Sequence, residues 1–89
     1  MARRRARQRW EFAQTMLAIH LFNHEALPEA TSENHIAHLS ESLGWPPPLA
    51  ARVVQYAQRH GAVVRQDEHL ALTDRGRHLA RQALATSAH

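Results

Sequence analysis

Apolar residues recur at helical spacing over the first quarter of the chain, where Trp10, Ala13, Leu17, Leu21 and His24 form one line and Phe12, Met16 and Ile19 widen it. That periodicity predicts a long helix over 3–24 with a core-facing stripe. Its first two turns hold nothing apolar and are expected to project from the domain. Pro28 suits the first position of a second helix, whose stripe is Ile36, Leu39 and Leu43, and Gly44 is a natural left-handed stop. Trp45 then opens a rigid link, in which Pro46, Pro47 and Pro48 fix the angle of entry to a third helix over 47–60. On that helix Leu49, Val53 and Ala57 share a face with Ala50 and Val54 beside them, while Arg52, Gln55 and Arg59 form the opposite stripe. Gly61 ends it. Two short apolar runs, 62–65 and 70–72, flank a polar turn at 66–69 and read as a two-stranded hairpin. Thr73 or Asp74 caps a last helix, with Leu79, Ala83 and Leu84 on its buried side despite Gly76 in its first turn.

The expected fold class is therefore mainly α with a small β-hairpin: three helices, a two-stranded wing and a C-terminal helix. In that order the elements describe a winged helix-turn-helix. Eighty-nine residues make one small domain, too small for a cofactor domain beside a substrate domain. The expected division is a basic arm or membrane-exit segment over 1–9 and the winged-helix domain over 10–89.

Charge changes this picture at one end only. Five of the eleven arginines, Arg3, Arg4, Arg5, Arg7 and Arg9, lie in the first nine residues, and there is no lysine. The net charge of +3 thus splits into +5 over 1–9 and −2 over the remainder, so the globular part is slightly acidic. Three readings of the arm follow: a segment drawn to anionic lipid, a nucleic-acid-binding arm, or a solvated helix end. Arginine without lysine, among many alanines, also fits the coding bias of a GC-rich genome.

Chemistry is sparse. The absence of cysteine excludes disulfides, thiolate nucleophiles and Cys-ligated zinc, as suits a reducing compartment. No Ser-His-Asp spacing, glycine-rich phosphate loop or paired carboxylate cleft is present, so an enzyme is not expected. The longest apolar stretch, 16–22, is interrupted by His20 and is too short to span a bilayer. No secretory pattern follows the arginines.

Eight histidines are many for this length. His20 and His24 stand four apart on one helix, able to face one ion, with Glu25, His35 and His38 nearby in sequence. Equally, His20 lies toward the apolar face and suits a core histidine. For nucleic acid, the candidates are Arg52, Gln55 and Arg59 on the third helix and Arg65 in the wing. Asp67 and Glu68 at the wing tip oppose that use, and two helix arginines neutralise few phosphates. Trp10, Trp45 and Tyr56 read as packing residues.

The stretch Leu70 to Arg77, LALTDRGR, resembles the wing strand and following helix start of winged-helix regulators. A longer resemblance covers nearly the whole chain. The run FAQTMLAIHLFNHEALPEATSENHIAHLSESLGW, followed by ARVVQYAQRHGAVVRQDEHLALTDRGRHLAR, resembles the cytoplasmic C-terminal extension of some bacterial metal ABC transporter permeases of the zinc, manganese and iron uptake family. What this implies is a non-catalytic regulatory or interaction domain, similar to the winged helices of metal-dependent repressors. It implies a location at the inner face of the plasma membrane and a membrane-embedded permease region in cis as partner. The transporter ATPase subunit and a second copy, in a homodimer, are the other implied partners. Arg3 to Arg9 match the arginine-rich membrane exit of such permeases, as the positive-inside rule predicts, and Met1 is then not the native start. Pro46 departs from the pattern, standing where a helix-capping serine or threonine is expected. The alternatives are a stand-alone winged-helix DNA-binding regulator, with nucleic acid as partner, and a dimerisation module without effector.

Overall fold

The computed structural model describes residues 2–25 and 36–87. Helix α1 spans Ala2–His24, α2 Ile36–Leu43, α3 Pro47–Arg59, strand β1 Val63–Gln66, β2 His69–Leu72 and α4 Asp74–Ser87. The described residues thus form a mainly helical unit of four helices and one antiparallel hairpin. Pro28, expected to open a helix, lies outside the described residues. No described helix is long and apolar enough to cross a membrane.

On α1 the buried line is Gln14, Leu17, Ala18 and Leu21, with Trp10, Ala13, Ile19 and Phe22 packed partly against the core. This reproduces the predicted stripe with one correction. Phe12, expected to widen the apolar face, is 65% exposed, because it sits outside the arc that α3 and α4 cover. Gln14 entered the core unforeseen, and its Oε1 has no hydrogen-bond partner among the described residues.

Helix α3 starts without a side-chain cap. Pro46 is the N-cap, at φ −59° and ψ 147°, and only its carbonyl serves, accepting from the Ala50 N–H at 3.0 Å. Proline's fixed φ and missing N–H suit helix entry, so the serine or threonine expected here is dispensable. The buried positions are Ala50, Val53, Val54 and Ala57, at i, i+3, i+4 and i+7. Leu49 is a second correction: at 38% exposure it lies in the first turn, beside rather than on that stripe.

The far end of α3 closes in a Schellman motif. Gly61 takes φ 75°, the Ala62 N–H reaches the Ala57 carbonyl at 2.9 Å, and the Gly61 N–H reaches that of Gln58 at 3.1 Å. Ala57 and Ala62 are both fully buried, which supplies the apolar contact the motif usually carries.

Ala62 leads into β1, whose register with β2 pairs Val63 with Leu72, Val64 with Ala71, Arg65 with Leu70 and Gln66 with His69. The turn is therefore only Asp67-Glu68, two residues shorter than the sequence suggested, since Gln66 and His69 complete the ladder. Asp67 adopts φ 58°, a left-handed value its short polar side chain tolerates. Alternation then puts Val63, Leu70 and Leu72 in the core and leaves Val64 45% exposed.

Thr73, not Asp74, caps α4. Its Oγ1 accepts from the Gly76 N–H at 3.1 Å and donates to the Gly61 carbonyl, while its own carbonyl accepts from the Arg77 N–H at 3.0 Å. The Thr73 N–H donates to the Ala62 carbonyl at 3.1 Å. The buried line on α4 runs through Gly76 and Ala80; Leu79 and Ala83 flank it, and Leu84, expected inside, is 37% exposed. Small residues occupy this line because the backbone comes close. A Cβ on Gly76 would lie 2.1 Å from the Ala62 oxygen and 2.7 Å from Leu72 Cδ2.

Gly76→Ala accordingly trades a helix-propensity gain of about 1 kcal/mol for a backbone collision. We expect a net loss of about 3 kcal/mol and a fall in Tm of more than roughly 10 °C, read by thermal circular dichroism. Gln14→Leu, which removes a buried amide oxygen that has no hydrogen-bond partner among the described residues, should raise stability by about 1 kcal/mol in a urea melt.

Candidate functional site

One flank of α1, beside its core-facing line, faces the proline link and the start of α3. Between them runs an open groove of about 580 Å³, floored by Trp10, Ala13 and Met16 and walled by Trp45, Pro48 and Leu49. Phe12 stands on its rim. The two charged residues lining it are Arg9 and Arg52. The sequence flagged these apolar positions as core, so the groove was not foreseen; the signal that could have revealed it is the surplus of apolar residues on α1 over what one stripe can bury.

A second, shallower hollow of about 320 Å³ adjoins it, lined by Trp10, Arg52, Gln55, Tyr56 and Arg59. Trp10 and Arg52 belong to both. The Trp10 and Tyr56 rings stack, with centroids 5.9 Å apart and planes 20° from parallel, and His60 packs on the other end of Tyr56 at 4.2 Å. Thus three of the four residues proposed to contact nucleic acid, Arg52, Gln55 and Arg59, are brought together on one exposed surface beside an aromatic pair. Arg65 is not among them. It lies in the hairpin, where its Nε donates to the Asp67 carbonyl at 2.8 Å, closing the turn on itself.

Of the arm, Arg7 and Arg9 are exposed on α1, and the helical backbone runs from Ala2, so Arg3, Arg4 and Arg5 fall on the same helix. The arm is continuous with the domain's first helix.

The candidate metal ligands are only partly assembled. The His20 and His24 rings lie 4.6 Å apart, tilted by 54°, and the His24 Nδ1 is buried without a hydrogen-bond partner among the described residues. His38 is half-buried on α2, and His35 lies outside the described residues. Among the described residues no group of three or more His, Cys, Asp or Glu side chains could hold a metal ion. Two imidazoles fall short of the three or four protein ligands that zinc usually takes.

One ionic contact joins distant parts of the sequence. Arg77 on α4 binds Glu25 at the end of α1, through Nε at 3.0 and 3.2 Å and through a terminal nitrogen at 2.6 Å, and also reaches Asp74 at 3.2 Å. The Glu25 carboxylate, first by hydrogen bonding and then by its charge, raises the Arg77 pKa above its ordinary value. Next to it Arg81 lies over the Phe22 ring, 5.8 Å from its centroid. Spacing gave no hint of either contact, since 52 residues separate Glu25 from Arg77.

The chain is similar to the zinc transport system membrane protein TroD of Treponema pallidum (strain Nichols), at 41% identity over 71 residues, 80% of this chain and 19% of that protein. It therefore spans about a fifth of the length of the curated relative it matches. This similarity supports a relation to metal-transport permeases. No family model matches the chain, and no solved structure matches it.

Phe12 and Leu17 lie on the same helix but on opposite sides of this division. Phe12→Ser should change stability by no more than about 0.5 kcal/mol, whereas Leu17→Ala, at a fully buried site, should cost about 2–5 kcal/mol. Urea denaturation of the two variants checks both.

Proposed function

We propose that this chain is a cytoplasmic winged-helix module of a metal ABC transporter permease, acting through contacts rather than catalysis. The observation that carries this reading is the 41% identity to a zinc transport system membrane protein over most of the chain. The element order supports the winged-helix assignment: α2 and α3 are joined by a short link, and a two-residue hairpin and a closing helix follow. In this reading α3 sits where a recognition helix would, and the hairpin is the wing.

The arginines of the arm are then the basic flank that membrane proteins place on the cytoplasmic side of a span. Its partners are the membrane-embedded region in cis, the transporter ATPase subunit and a second copy of the domain. The transported metal, zinc or manganese, or a fall in pH would bias these contacts through His20 and His24, with His35 and His38 as further ligands.

A second reading, a DNA-binding regulator, draws support from the shared exposure of Arg52, Gln55 and Arg59. It is disfavoured by the acids at the wing tip and by the −2 charge of residues 10–89. A dimerisation module without effector is the plainest alternative.

Deleting this domain from the intact transporter, in cells lacking other high-affinity zinc uptake, should leave uptake possible but change its dependence on external zinc. Identical uptake curves with and without the domain would overturn the reading. Binding to a random DNA duplex should be weak, with a log–log salt slope no steeper than about −4.5, the limit for five arm arginines. It should vanish on removing residues 1–9 and survive Arg52→Ala with Arg59→Ala. Sequence-selective binding lost in the double variant would instead establish the regulator.

A further inference from the structure

The apolar groove and the basic hollow are one surface, because Trp10 and Arg52 line both. Along it the chemistry changes in a fixed order. At one end Phe12, Met16, Trp45 and Leu49 offer apolar contact; at the other Arg52, Gln55 and Arg59 offer charge and hydrogen bonds. Every charged residue in either lining is an arginine, Arg9, Arg52 or Arg59, although the rest of the domain is slightly acidic. The patch is thus opposite in sign to the remainder of residues 10–89 and continuous in sign with the arginine arm through Arg9. A partner must supply apolar side chains and, beyond them, negative charge.

We infer that this surface docks an amphipathic acidic helix of a partner protein, its apolar side chains entering the groove and its carboxylates reaching Arg52 and Arg59. The inference deepens the reading of the domain as a contact module, rests on it, and names the surface and the chemistry of the partner. Grooves between helices accept an apolar helix face through anchors at i, i+3 and i+7, and arginine pairs with carboxylates in a planar, two-pronged fashion. Tryptophan and arginine are also the residues in which interface energy concentrates.

Other occupants fit less well. A second copy docked by the same face across a two-fold axis would bring the arginines of both copies together, which costs energy. A DNA duplex offers phosphates to Arg52 and Arg59 but nothing apolar to the groove. Phe12 and Leu49 would then remain in water.

The test is a titration of the whole chain, followed by tryptophan fluorescence. Both tryptophans of the protein, Trp10 and Trp45, line the groove, so this signal reports the surface directly. The probes are a stapled helical peptide with a leucine stripe flanked by glutamates, the same peptide with lysines for glutamates, and a random DNA duplex. The glutamate peptide should bind and shift the emission, and the lysine peptide should bind at least about tenfold more weakly. Phe12→Ser and Arg52→Glu should each weaken the glutamate peptide about tenfold or more, with circular dichroism confirming that both variants remain folded. Arg65→Glu, remote from the groove, should change nothing.

Equal binding of the two peptides, or insensitivity to Phe12→Ser and Arg52→Glu, overturns the proposal. So does a duplex that binds through Arg52 while the glutamate peptide fails, or self-association in sedimentation that Phe12→Ser abolishes. The uptake experiment is independent: unchanged uptake with intact peptide binding removes the transporter reading alone, and failed peptide binding with altered uptake removes the docking surface alone.

Discussion

The Ala62 carbonyl is the point on which the fold turns. It follows the Schellman end of α3, accepts the Thr73 N–H that closes the base of the hairpin, and sits against the Cα of Gly76 in the first turn of α4. Thr73 binds the adjacent Gly61 carbonyl through its hydroxyl and caps α4 with the same oxygen. Helix end, hairpin and helix start thus share one small cluster of backbone groups. The Gly61, Ala62 and Thr73 carbonyls and the Thr73 and Gly76 N–H groups there each find a partner, as the high cost of leaving one unmade requires. A side chain at Gly76 would separate all three elements at once.

From that cluster the rest of the packing follows. With α4 held close to the hairpin, its Gly76 and Ala80 line can remain small, and α1 packs across α4 and α3 through Leu17, Ala18 and Leu21. The Glu25–Arg77 pair then fastens the end of α1 to the start of α4. Its side chains are about one-third exposed, so solvent screens it, and it serves more to orient than to stabilise. The flank of α1 toward the proline link is only partly covered by the described residues, with Trp45, Pro48 and Leu49 standing across from it. There the apolar residues that one core could not absorb become the groove.

Much of the architecture was legible because local chemistry and global packing agree. Gly44, Gly61 and the three prolines mark the helix ends, and the 3.6-residue period of 10–24 and 50–57 marks their inner faces. What was missed has a physical reason in each case. Phe12 and Leu49 are apolar and near the right phase, but whether a residue is covered depends on which neighbours reach it, and periodicity carries no such information. Gly76 looked like a weak spot in a helix, since the Ala62 oxygen that requires it is fourteen positions earlier. The hairpin turn was read too long because polar residues at 66 and 69 look like loop, although their backbones complete the ladder. The candidate site split likewise: Arg52, Gln55 and Arg59 share a helix face and stayed together, whereas Arg65 belongs to another element and His35 lies beyond the described residues.

Helix α1 runs unbroken for 23 residues, about 34 Å at 1.5 Å per residue, from the arginine cluster to Glu25. It contains neither proline nor glycine, so it has no natural place to bend. Mechanically it is an axle rather than a tether. Between its arginine end, with Trp10 and Phe12 beside the groove, and its far end, next to the Glu25–Arg77 contact, it is held by the buried Leu17, Ala18 and Leu21. The groove and the ionic clasp thus belong to one continuous helix, toward its two ends.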